Sequence, residues 1–156
     1  MSIVQEDSIF PDFAIGNFDT KQLRSKSPLV IVVWSVQCPV SCMAMPFFER
    51  IRTHFPRVNF LGVSSDPLDK VQDYCQENKI HFDQASDRDG SVAESLGVSS
   101  VPSYWLIDSS GLVMNAGNGW SIDKVNDIAL QLAKVFHEPY QPIVTSEDHV
   151  PAFKPG

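Results

Sequence analysis

The sequence predicts a mixed α/β domain, with one central sheet, helices on both faces and a short hairpin at an N-terminal edge. Three observations carry that expectation. Leu29 to Val36 is an apolar run rich in β-branched residues, too short to span a membrane and suited to a strand buried on both sides. A helical pattern and a second apolar strand follow, giving a β-α-β start. Later, two strand-like runs flank Asp108-Ser109-Ser110-Gly111, a hairpin turn, so the sheet also holds antiparallel strands.

Taken in order, Ser8 to Phe18 alternates apolar and polar residues around Gly16-Asn17 and reads as the edge hairpin. Asp19 to Ser27, with Lys21, Arg24 and Lys26, reads as a solvated loop. After the central strand, Met45, Phe48, Ile51 and Phe55 fall at helical spacing, predicting a helix from about Pro39 to Phe55 that Pro46 should kink. Val58 to Ser64 is the next strand. Asp66-Pro67 then reads as a cap and first residue of a helix running to about Lys79, with Leu68, Val71 and Cys75 on its inner face. Ser91 to Leu96 forms a short helix closed by Gly97, and His81 to Gly90 before it ends in turn chemistry. Ser103 to Ile107 and Leu112 to Ala116 make the hairpin. Ser121 caps a last amphipathic helix carrying Ile122, Val125, Ile128, Ala129, Leu132 and Phe136 on one face. Residues 1–138 thus form one domain, and 139–156, with four prolines and no periodicity, an extended or disordered tail.

Composition narrows the function. A net charge of −7 provides no basic stripe for phosphates and argues against nucleic acid. The N-terminus shows neither a basic segment nor an apolar one of the signal-peptide kind, so a cytoplasmic location is expected as the chain stands, or a periplasmic one if a signal has been removed. Three cysteines do not make a disulfide scaffold; they suggest a redox pair plus one.

The pair is Cys38 and Cys42. The central strand aims at Cys38, and Pro39, favoured at the first position of a helix, follows at once. Cys38 therefore sits at an N-cap, where unpaired N–H groups and the helix dipole favour a thiolate. Cys42 is one turn on, on the same face, close enough for a disulfide with modest adjustment. The competing reading, that both are small apolar fillers, stays open here. Cys75 reads as core.

These residues carry a resemblance to the thioredoxin superfamily, and within it to the TlpA-like redoxins, over roughly Phe10 to Phe136. Trp34, Cys38 and Pro46 keep the family's spacing of tryptophan, first cysteine and helix proline, and Val101-Pro102 ahead of SYWLIDSSG is similar to its cis-proline loop. The chain departs from the pattern at the second cysteine. Ser41 stands where the family has it, Cys42 comes one later, and Val32 and Ala44 replace two acidic positions. The resemblance implies a thiol-disulfide oxidoreductase with no cofactor. Cys38 would be its nucleophile and Cys42 its resolving thiol, Trp34, Val101 and Pro102 would shape the substrate groove, and Ser41 and Pro39 would support the thiol. Its expected partners are a disulfide-containing protein or small molecule and an electron donor, with no membrane insertion and a monomeric chain. Two alternatives stand beside this: a copper-binding protein of the Sco type with Cys38 and Cys42 as ligands, and, ranked lower, a peroxiredoxin-like peroxidase. For copper, none of His54, His81, His137 and His149 is expected beside Pro102.

Overall fold

A computed structural model describes residues 2–156. The hairpin comes first, β1 (Ala14–Ile15) paired antiparallel with β2 (Phe18–Asp19) across Gly16, whose positive φ the turn requires. A one-turn helix, α1 (Thr20–Leu23), occupies part of the stretch expected to be a solvated loop, because the Asp19 carboxylate accepts from the N–H groups of Lys21 and Gln22. Arg24 is not a free surface cation either. It pairs with Asp12 at 2.6 Å and donates to the Ser109 carbonyl, tying this end of the chain to the later hairpin.

The central strand β3 (Leu29–Val33) is buried on both sides, and each of its large aliphatic side chains contributes about 1.5–3 kcal/mol by leaving water. Helix α2 (Pro39–His54) leads to β4 (Asn59–Ser64), α3 (Leu68–Glu77) to β5 (Asp83–Ser86), and α4 (Ser91–Ser95) to the hairpin of β6 (Ser103–Ile107) and β7 (Val113–Asn118). The sheet order is β5-β4-β3-β6-β7, with β3, β4 and β5 parallel and β6 and β7 antiparallel to their neighbours. Two successive right-handed crossovers moving the same way across the sheet put α2 and α3 on one face, and the return to β6 puts α4 on the other.

Side-chain alternation sorts the core accordingly. Val30, Val32, Tyr104 and Leu106 meet α2, α3 and the last helix, α5 (Ile122–Val135). Leu29, Ile31, Val33, Trp105 and Ile107 meet α4 and the N-terminal segment. Two elements depart from the sequence expectation. Strand β5 lies in polar sequence, Asp-Gln-Ala-Ser, that carries no strand pattern. Helix α3 starts after Pro67 without a side-chain cap, and Leu68, expected on its inner face, is exposed.

The segment 139–156 runs back over the α2 and α5 face. Ile143 and Val144 are buried there, their N–H groups held by the Asn126 side chain, while Arg50 donates to the Ile143 carbonyl and pairs with Asp148. A short pair of strands, β8 (Trp120–Ser121) and β9 (Phe153–Lys154), fixes its last part. All three tryptophans are buried, and each indole N–H reaches an outlying segment: Trp34 to Gln84 of β5, Trp105 to the Val4 carbonyl, Trp120 to the Pro151 carbonyl. No helix among the described residues is long and apolar enough to cross a membrane.

Candidate active site

At the C-terminal edge of β3 the chain turns through 34–38 and enters α2. Cys38 is the N-cap residue, extended at φ −99° and ψ 114°, and Pro39 follows as the first helical residue, exposed. The N–H of Ser41 points at Cys38 Sγ from 3.4 Å. On its other side Cys38 Sγ lies 3.5 Å from the Val101 carbonyl oxygen. Cys38 as a residue is half-buried.

Cys42, one turn along and also half-buried, directs its Sγ at the Val36 carbonyl from 3.4 Å. Pro46 lies four residues further on and has no N–H to offer the Cys42 carbonyl. The hydroxyl of Tyr74, on α3, borders Cys42 Sγ. Burial first, and that neighbouring sulfur second, hold the Tyr74 phenol protonated well above its usual range. Its ring packs on Trp34 at 5.5 Å between centroids.

Ser41 is placed by its backbone rather than its hydroxyl. Its side chain is buried and accepts from the Ser35 N–H at 3.3 Å, so its contact with Cys38 runs through the main chain. Trp34 is 1% exposed and built into the core, so its side chain supports the turn from beneath. Pro102 is buried and Val101 half-buried, joined by a cis peptide bond. Asn118 of β7 staples their loop, donating to Ser103 Oγ at 2.8 Å and to the Ser100 carbonyl at 3.1 Å.

Asp66 is the site residue that sequence reasoning misassigned. Instead of capping α3 it is buried, and Oδ2 accepts from the Val36 N–H at 2.9 Å and from Ser64 Oγ at 2.7 Å. Oδ1 accepts from Gln37 Nε2 at 3.2 Å. Burial pushes its carboxyl up, but the hydrogen bonds from Ser64, Val36 and Gln37 outweigh that and hold it below its ordinary value. The carboxylate thus clamps the turn that presents Cys38, and every oxygen is committed as an acceptor. Its signal in the sequence, an Asp before a proline, is shared by ordinary helix caps. The third cysteine, Cys75, is buried on α3. Burial first, and the charge of Glu49 second, push its thiol up to about 11.

Among the described residues, no group of three or more His, Cys, Asp or Glu side chains is arranged to hold a metal ion. The copper reading therefore lacks a third ligand from those types beside the two cysteines.

A 108-residue stretch is 28% identical to the thiol:disulfide interchange protein DsbE of Yersinia pestis, covering 69% of this chain and 57% of that protein, so the chain spans little more than half the length of that relative. The thiol-disulfide oxidoreductase YkuV of Bacillus subtilis is 26% identical over 113 residues, 68% of this chain and 76% of that one. Among solved structures, the thioredoxin domain of a thiol-disulfide oxidoreductase from Bacteroides vulgatus superposes with a TM-score of 0.71 at 18% identity, covering 84% of this chain and 99% of that chain. That likeness shows the thioredoxin-like fold. The profile of the AhpC/TSA family matches residues 7–116, and the chain belongs to that family.

Proposed function

We propose that this member of the AhpC/TSA family is a thiol-disulfide oxidoreductase, with Cys38 as nucleophile and Cys42 as resolving thiol. One observation carries the reading: the sulfur of a half-buried cysteine at the N-cap of α2, facing the Ser41 N–H and the Val101 carbonyl, with a second half-buried cysteine one turn behind it. The names of the two relatives, both thiol-disulfide enzymes, support it, and neither the copper nor the peroxidase alternative is favoured.

In the forward direction the Cys38 thiolate attacks one sulfur of a substrate disulfide. A Cys38-substrate disulfide forms, and the other substrate sulfur leaves as a thiolate that takes up a proton. Cys42, after losing its proton, attacks Cys38 Sγ; the mixed disulfide breaks and the second substrate thiol departs. Two electrons have then passed to the substrate, and the protein holds a Cys38–Cys42 disulfide that an external dithiol reduces. Val32 and Ala44 are apolar and Asp66 is already bonded at both oxygens, and the Tyr74 hydroxyl beside Cys42 can donate a hydrogen bond to its thiolate.

The test is a trap. Cys42→Ser, mixed with a disulfide-bonded protein, should accumulate an adduct that dithiothreitol releases, and Cys38→Ser should form none. Equal turnover by wild type and Cys42→Ser would remove the resolving role; exchange by Cys38→Ser would remove the reading altogether.

A further inference from the structure

The loop assigned to the substrate already has an occupant. Trp120 Nε1 donates to the Pro151 carbonyl and the Ile122 N–H to the Ala152 carbonyl, which brings the following residues alongside β8. Trp120 then registers with Lys154, and Ser121 with Phe153. From there the chain passes over Gly119, where an added Cβ would lie 2.5 Å from the Lys154 carbonyl oxygen and 3.2 Å from Pro155 Cα. Gly119 is itself bonded to the loop, its N–H donating to the Pro102 carbonyl at 2.8 Å. The path ends on Val101. A Cβ placed on Gly156 would lie 2.5 Å from the Val101 carbonyl oxygen and 3.5 Å from Ser100 Oγ. That carbonyl is the one 3.5 Å from Cys38 Sγ, so Gly156 lies against the same oxygen that the nucleophile faces.

We propose that residues 153–156 act as a strap seated where the backbone of a polypeptide substrate would lie beside Cys38, so that a strand bearing a disulfide must displace it while a small disulfide need not. The inference rests on the exchange reading above. Its physical basis is competition for one strip of main chain: an extended substrate gains its affinity from backbone pairing along a free edge, and here that place is filled from within. The strap is suited to leave. Residues 151–156 are all exposed, and only two register pairs hold β9 to β8. A site that is free only part of the time weakens apparent affinity by that fraction, without changing the chemistry once substrate is bound.

The experiment compares two disulfides, 2-hydroxyethyl disulfide and an extended peptide carrying a mixed disulfide at a central cysteine, on three proteins. These are the full chain, a chain ending at Ala152, which keeps the Trp120 and Ile122 bonds, and the full chain with Gly156→Val, whose added side chain meets the Val101 carbonyl. Ending at Ala152 should raise kcat/KM for the peptide by about tenfold, through KM, and change the small disulfide by less than about twofold. Gly156→Val should move the peptide value the same way by a smaller factor. Peptide-to-small-disulfide ratios that stay level or fall in both variants, with Cys38-dependent exchange intact, would overturn the strap and leave the exchange reading standing. Absence of Cys38-dependent exchange with either disulfide in all three proteins would overturn both.

Discussion

Cys38 and Cys75 lie on helices packed against the same face of one sheet, yet their sulfurs meet different surroundings. The Cys38 sulfur stands at a helix start, on a half-buried residue, with an N–H directed at it. The Cys75 sulfur is in the interior of α3, where the N–H groups are spent on the helix, with hydrocarbon around it and the Glu49 charge nearby. The two sulfurs differ in where the backbone delivers them and in burial, which is the larger cause at Cys75. Only the first turn of a helix has N–H groups to spare for a sulfur.

Alkylation gives the largest expected contrast. With its thiol pushed up to about 11, on the order of 1 in 3,000 Cys75 side chains is ionised at pH 7.5, against roughly 1 in 30 for a thiol at the ordinary 9.0. Iodoacetamide at that pH should label Cys38 on the order of 100-fold faster than Cys75 in the native protein, and at similar rates in urea. Peptide mapping of the labelled protein reads the ratio; native rates within tenfold of each other would break the comparison.

The clamp on the Cys38 side comes next. Asp66→Ala leaves the Val36 N–H without its acceptor in a buried setting, which should lower stability by about 2–3 kcal/mol and slow exchange at Cys38, with labelling of Cys75 unaffected. Because the folded carboxyl is held below its ordinary value of 3.8, its contribution is present above that pH and is lost as pH falls through the lower folded value. Urea melts of wild type and Asp66→Ala should therefore converge in acid and stay apart at neutrality. Curves that remain equally separated across that range would show that the carboxylate is not the clamp.

The smallest effect concerns Cys75 itself. Its folded value of about 11 lies above the ordinary 9.0, so its protonated form stabilises the fold fully below pH 9 and that contribution is lost as pH rises toward 11. Between those values wild type should lose melting temperature a few degrees faster than Cys75→Ala, measured by far-UV circular dichroism. Parallel slopes would place Cys75 outside the core electrostatics.

What the sequence announces, and what it withholds, follows the range of the forces involved. Cys38-Pro39 at the end of a β-branched run is a local arrangement of strand, cap and first helical residue, so the site's position and the helix after it were readable. Ser121 as a cap was readable for the same reason. Asp66 was not, since its acceptor role is set by an N–H thirty residues away, and its neighbour Pro67 advertises a helix start instead. Strand β5 carries no apolar alternation because its pairing is with β4 alone, at the edge of the sheet, where polar residues are tolerated. Helix α1 had its signal in Asp19, but one turn is too short for periodicity to register. The path of 139–156 depends on Asn126 and Arg50, single side chains whose reach no spacing rule describes.

The three indoles have an optical consequence. Each is sealed from water while its N–H grips a different outlying piece of polypeptide, so native emission should sit at short wavelength, and lifting any one piece would wet a single chromophore. Variants keeping one tryptophan apiece would give the β5 edge, the amino-terminal arm and the carboxy-terminal arm each its own fluorescent gauge, with no dye attached.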